Sequence, residues 1–499
     1  MENNYEVIVI GSGLSGLSIA YILAKNGFKV AVFEKNAQFG GCLQSFKREG
    51  VTFETGMHYV GSIEEGQILH KYFNYLSILN DIELSSLDKS CYDIIDFRGE
   101  RYSYANGHEN FVETLSQKFP YNVNDIKEYV KAIHNVTENS PYYSFKGFDS
   151  LNILDPAHVK TSINGYISQI TNNETLQNVL TGNIPLYAGL KDKTPLYIHA
   201  LISDFYINSA YRIVGSSDNI AKSLVKSLKN MGVDVFNNSE VKKIICNERQ
   251  VTAIELNDGN RVETKYLISS IHPEYLLQMI DSNLIRKAYR ERICSMEQTV
   301  STFTVFIKFK ENTVPYLNSN FFKYRDETIW DCETYTEESW PKSYLYMHQC
   351  SEKDQKFAKG AILFAYMNYA DVMQWNGTRI GRRGADYEEF KKIKAEKLLS
   401  CLEKDMPGIL SNIDNYWTST PLTYQDYTAT KEGSTYGVVR DVSSPIQTTI
   451  SQRTKIPNLF LTGQNTNSHG VLGVIISSVI TASELLGKEF LINQINKFE

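Results

Sequence analysis

The chain opens with a nearly continuous apolar run, Tyr5 to Ile10, that meets a Gly-rich turn, Gly11-Ser12-Gly13-Leu14-Ser15-Gly16. A short run that is apolar at consecutive positions suits a strand buried on both faces of a parallel sheet. Leu17 to Ala24 then reads as a helix, Gly27 ends it, and Lys29 to Phe33 gives a second strand. Mid-chain, Asn219 to Met231 has helical periodicity, Val233 to Phe236 is a short strand, and Ser239 to Ile244 begins another. Gln250 to Leu256 and Arg261 to Ser270 flank Asn257-Asp258-Gly259-Asn260, a hairpin signal. Near the end, Asn458 to Leu461 reads as a strand leading into a turn at Gly463. The apolar stretch Gly470 to Gly487 follows, interrupted by Ser477, Ser478, Thr481, Ser483 and Glu484. It predicts a buried helix rather than a bilayer span, which needs about 20 predominantly apolar residues. Helical patterns also cover Asn110 to Lys118, Val123 to Val136 and Tyr387 to Leu402, and residues 299–310 and 362–368 alternate as strands.

The first strand, turn, helix and second strand together form a GxGxxG dinucleotide fingerprint. The first glycine permits the tight turn, the second lets backbone approach a pyrophosphate, and Gly16 lets helix and strand pack closely. The helix start offers free N–H groups and a positive dipole end to phosphate. Glu34, at the end of the second strand, is placed to accept hydrogen bonds from ribose hydroxyls. The Gly40-Gly41 pair past it, followed by Cys42, predicts a second close backbone approach to a cofactor.

Composition narrows the class. The chain has 499 residues, 42% hydrophobic and 22% charged, enough for two to four domain-sized units and a large core. A net charge of −6 without a basic stripe argues against a nucleic-acid partner. The polar start, Met1 to Glu6, predicts no secretory leader. The seven cysteines are scattered without a CxxC pair, which predicts reduced thiols, a cytoplasmic setting and no metal site.

The runs VIVIGSGLSGLSIAYILAKNGFKVAVFEK, FGGC and FETGMHYVG, with IEEG close behind, resemble the N-terminal part of the retinol saturases. These belong to the wider phytoene desaturase and carotenoid isomerase family. The C-terminal Leu461-Thr462-Gly463-Gln464 and His469-Gly470-Val471-Leu472-Gly473-Val474 are similar to that family's second cofactor anchor. The resemblance implies non-covalent FAD in an extended form. It places Gly11, Ser12, Gly13, Leu14, Ser15, Gly16, Glu34 and Lys35 on the ADP half, and Gly40, Gly41 and Cys42 beside it. It pairs the backbone of Val241 with adenine and sets Ser270 at the end of the mid-chain piece. Gly463, Gln464, Gly470, Leu472, Gly473 and Val474 fall at the second anchor, whose helix start stabilises negative charge on reduced flavin. Where many relatives carry a Pro and paired Gly, Tyr211 to Asp218 keeps only Gly215.

The fold predicted is therefore α/β: a Rossmann-type FAD-binding domain with an inserted α+β substrate domain. Residues 1–72, 208–290 and 440–499 form the cofactor domain, and 73–207 and 291–439 the substrate domain. One fingerprint serves one dinucleotide, so NAD(P)H enters only as a transient electron donor. Because the flavin carries the hard chemistry, the candidates are groups facing it. His58 and Tyr59 follow the Gly56 bend and serve as contacts or as proton carriers. Tyr436, within GSTYG, is a proton donor to a saturating double bond, or a packing residue. His469 stabilises reduced flavin or caps the helix start. Arg379, Arg382 and Arg383 read as a solvated basic loop, with a phosphate of NADPH as the alternative. Aromatic clusters such as Pro141 to Phe145 line an apolar tunnel or fill ordinary core. The resemblance implies a hydrophobic polyene or isoprenoid substrate, saturated, desaturated or isomerised at a C=C bond. A lipid-like substrate implies peripheral membrane contact, although no strongly amphipathic basic helix stands out. The rivals are an amine or amino-acid oxidase on the same fold and a non-enzymatic lipid-binding protein resembling a GDP-dissociation inhibitor.

Overall fold

A computed structural model describes residues 2–145 and 159–498. Two seven-stranded sheets organise the molecule. In the first, Asn4–Ile10 lies between Val30–Phe33 and Arg261–Ser269, parallel to both, and Asp234–Phe236 extends the sheet beyond Val30–Phe33. Every side chain of Val7 to Ile10 and of Val30 to Phe33 is buried, because helices cover one face and a second apolar layer covers the other. Burial on both faces is what makes these strands read as unbroken apolar runs.

Arg261–Ser269 is the hub. Its first residues pair antiparallel with Val251–Leu256 through the Asp258-Gly259 turn, and its last residues pair parallel with Leu459–Leu461. The C-terminal segment thus joins the sheet beside the N-terminal strand. Ser239 to Ile244 settles as Val241–Cys246, the antiparallel edge.

The fingerprint helix, Leu14–Lys25, is buried from Leu14 to Leu23. It packs against the C-terminal helix Gly470–Leu486 and the mid-chain helix Asp218–Asn230. Its start depends on Gly16: a Cβ there would overlap the carbonyl oxygen of Gly11.

The second sheet runs Ile413–Ser419, Ser301–Phe309, Gly360–Met367, Ser343–His348, Asn320–Tyr324, Asp93–Phe97 and Glu100–Tyr104. Ser301–Phe309 is buried at every residue but Lys308, so its alternation does not mark one wet face. Phe303, Val305 and Ile307 enter one core, while Phe306 packs with Val51 and Phe53 on the other side. Helices including His108–Lys118, Val123–Glu138 and Leu196–Asn208 pack over this sheet's other core. Among the described residues no helix is long and apolar enough to cross a membrane.

The Gly16 contact is with backbone, which cannot rotate away. Gly16→Ala is therefore expected to destabilise by at least about 3 kcal/mol, the upper end of overpacking. A thermal melt checks this, and an unchanged melting temperature would contradict the packing described.

Candidate active site

One cavity of about 770 Å³ lies between the two sheets. It begins at the carboxyl ends of the parallel strands, where Ile10, Phe33, Ser270 and Gly463 reach its wall. This is the place where open α/β sheets bind ligands. Two helices point their N-termini into it. Leu14–Lys25 starts at Gly13 and Gly470–Leu486 starts at His469, and neither start has a side-chain cap. The first N–H groups of each helix have no partner within the helix, and both ends carry positive dipole charge. The pair makes a cradle for a diphosphate and, further along, for an electron-rich ring.

Hydroxyl groups tie the two helix starts together. Ser15 Oγ lies 2.7 Å from Thr462 Oγ1 and 2.9 Å from Ser478 Oγ. Ser477 Oγ accepts from Gly463 N–H at 2.9 Å. Ser270 Oγ donates to the carbonyls of Ile10 and Gly11, at 3.0 and 3.1 Å, pinning the fingerprint turn.

Ser12 and Gly16, expected among the cofactor contacts, stand behind the cavity wall. Ser12 is fully buried, and its N–H and hydroxyl both donate to Glu34 Oε2, at 3.0 and 2.7 Å. Ser12 thereby orients the acidic residue expected at the ribose. Glu34 itself lines the cavity, as do Gly11, Gly13, Leu14, Ser15, Lys35, Gly40, Gly41, Cys42, Val241, Gln464, Leu472, Gly473 and Val474. Gly40 takes φ +115°, a value that L side chains rarely adopt. Its N–H donates to the Ser12 carbonyl at 3.0 Å, closing the loop onto the fingerprint. Cys42 lines this space with its side chain exposed, and the protein packed around it pushes its thiol up to about 11. A neutral thiol is a poor nucleophile, which fits a non-covalent cofactor.

The four candidate reactive groups also line the cavity. His58 Nδ1 sits 3.8 Å from Glu54 Oε2, a buried carboxyl that desolvation pushes up. Tyr59 is buried and donates to Asp93 Oδ2 at 3.1 Å. Tyr436 donates to the Pro185 carbonyl at 3.0 Å, and its ring lies 4.5 Å from that of His469. Burial, aided by Arg440, pushes His469 down to about 3, so the imidazole is neutral. Its Nε2 is buried without a hydrogen-bond partner.

Several residues of this site carry no signal in the sequence. Asp93, on strand Asp93–Phe97 of the second sheet, is fully buried behind Tyr59, and desolvation pushes its carboxyl up to about 7. It accepts from Tyr59 and, at 2.7 Å, from Asn320 Nδ2. Only the pairing of Asp93–Phe97 with Asn320–Tyr324 brings them together. Leu201, Phe205, Leu345, Met347 and Phe364 form the wall away from the fingerprint, and Tyr143 of the Pro141 to Phe145 cluster joins them. Arg383 corrects the reading of a solvated loop: it is 8% exposed and ion-paired to Asp426, a cavity residue. Arg379 and Arg382 are exposed.

These features fit an extended dinucleotide: two uncapped helix starts, an anchored acid and a neutral, unpartnered imidazole. Comparison with known proteins agrees. The chain is 25% identical to human all-trans-retinol 13,14-reductase over 96% of this chain and 85% of that protein. It is 21% identical to 4,4'-diapophytoene desaturase of Staphylococcus aureus over 96% and 98%. Putrescine oxidase has a similar fold, with a TM-score of 0.65 at 15% identity over 97% of this chain and 99% of that one. The family described as Flavin containing amine oxidoreductase matches residues 14–486. The chain belongs to that family: it is an FAD-dependent oxidoreductase.

Proposed function

We propose that this oxidoreductase acts on a C=C bond of a hydrophobic polyene or isoprenoid, by saturation, desaturation or isomerisation. The observation that carries this reading is the continuity of the cavity. One space runs from the helix starts at Gly13 and His469 to a wall of Leu201, Phe205, Leu345, Met347 and Phe364. The charged residues on its lining, Glu34, Lys35, Glu240, Lys242 and Asp426, belong to the cofactor sheet and the segment that covers it. An apolar wall binds by excluding water, without an ion pair to fix an amine. The names of the retinol reductase and diapophytoene desaturase relatives support the same substrate class. A substrate of this kind enters from a membrane surface, so peripheral membrane contact accompanies the reading. Residues 1–72, 208–290 and 440–499 serve as the cofactor domain, and 73–207 with 291–439 as the substrate domain.

Bound FAD supplies hydride exchange at the flavin N5. The chain supplies orientation, dryness and protons. Tyr436 is kept neutral by burial and holds its proton toward the Pro185 carbonyl, which suits a proton donor at the cavity wall. His469, also neutral, offers a hydrogen bond rather than a charge; the helix start beside it supplies the positive field. Tyr59, hydrogen-bonded to Asp93, is a second route for a proton, and His58, on the same lining, would help to orient a bound flavin.

Two outcomes are expected. First, the reduced holoenzyme is mixed anaerobically with retinol or a carotene. Reoxidation by the polyene is expected, at least about 100-fold slower in Tyr436→Phe with flavin binding unchanged, as for loss of a general acid. Reoxidation by an amine-derived imine but by no polyene would overturn the substrate class. Second, Asp93 sits near 7 in the fold and near 3.9 in an unfolded chain. The raised value means that its stabilising protonated form is fully present below about 4 and lost as pH rises to about 7. The melting temperature of Asp93→Asn relative to the parent is therefore expected to climb across that window and then level off. A constant offset at every pH would contradict the assignment.

A further inference from the structure

Away from the cavity, three helices bring His108, His134 and Asp204 together. They come from His108–Lys118, Val123–Glu138 and Leu196–Asn208 respectively. His108 Nε2 lies 2.7 Å and His134 Nδ1 3.4 Å from the same oxygen, Asp204 Oδ1. The two imidazole rings are 4.6 Å apart, and one nitrogen or oxygen from each of the three residues falls within 4.8 Å of the others. The other carboxylate oxygen, Oδ2, accepts from Asn208 Nδ2 at 3.2 Å. Asp204 is fully buried.

A carboxyl buried this deeply is costly to place without partners that satisfy it. The ion-pair partners of Asp204 among the described residues are these two histidines, and neither imidazole is a permanent cation. Both rings border a surface groove of about 680 Å³, which supplies a path for a small ion. Glu109 and Glu113 on that groove offset Lys127 and Lys131.

We infer that His108, His134 and Asp204 form a binding site for a divalent transition-metal ion, of which zinc is the best match. Two imidazole nitrogens and one carboxylate oxygen are a zinc donor set. Tetrahedral zinc at bond lengths near 2.1 Å places its donors roughly 3.4 Å apart. The His134 pair already has that spacing, and the His108 pair reaches it by a shift of less than about 1 Å. Asn208 orients the carboxylate as an outer partner does in such sites. The scattered cysteines give no hint of it, because the ligands are histidine and aspartate from three separate helices.

The site has a structural consequence. Leu196–Asn208 also gives Leu201, Ile202, Phe205 and Tyr206 to the wall of the main cavity. A metal at Asp204 clamps that helix to its two neighbours and so fixes the wall.

The test uses the full chain, stripped of metal, titrated with Zn²⁺ against a chromophoric chelator. One ion per chain is expected to bind saturably. His134→Ala, a change at a partly exposed position, is expected to weaken binding at least about tenfold, whereas His70→Ala, on the helix Ile68–Tyr75 outside this cluster and its groove, leaves it unchanged. Co²⁺ is expected to give visible absorption in the parent that His134→Ala loses. Absence of one-to-one binding, or equal affinity in the parent and His134→Ala, would overturn the site.

Discussion

The helix Leu14–Lys25 starts where it does because Gly16 has no side chain to strike the Gly11 carbonyl. That contact lets the helix enter at the end of Asn4–Ile10 with its first N–H groups turned to the cavity. The rest of the site is arranged around this start. Ser12 holds Glu34, Ser270 pins the turn, and Ser15 links it to Thr462 and Ser478 of the second anchor. A cluster of hydroxyls thus aligns two helix dipoles that are more than four hundred residues apart in sequence. The positive field where phosphate and flavin would lie comes from backbone and needs no permanent charge.

The substrate side works by the opposite means. Its phenols, Tyr436 and Tyr59, are buried and kept neutral, the carboxyl of Asp93 behind Tyr59 is raised to about 7, and the neutral imidazole of His469 stands where the two parts meet. Low polarity strengthens each remaining hydrogen bond and admits an apolar chain. Fixed dipoles at one end and neutral donors at the other suit hydride and proton exchange at a carbon–carbon bond.

The local signals in the sequence correspond to local structure. The fingerprint, the Asp258-Gly259 hairpin and the Gly463 turn each follow from adjacent residues with steric demands of their own. The FAD assignment rests on such pieces. What could not be read arises from contacts between distant segments. Asp93 meets Asn320 only once Asp93–Phe97 pairs with Asn320–Tyr324, and meets Tyr59 only once the segment after Gly56 packs against that sheet. The apolar wall is assembled from a helix and two strands whose residues look like any core. Arg383 looked solvated because Asp426, its partner, lies 43 residues away. Ser12 and Gly16 shape the cofactor pocket from behind, a distinction that the fingerprint alone does not draw.

A single cavity long enough for FAD and an apolar polyene end to end is what the proposed reaction needs. The most direct measurement is a crystal structure of the FAD-loaded protein soaked with retinol or a carotene. The diphosphate is expected at the helix start near Gly13 and the flavin beside His469 and Tyr436. The polyene is expected along Leu201, Leu345 and Phe364. A cofactor bound away from both helix starts, or a polyene bound outside this cavity, would contradict it.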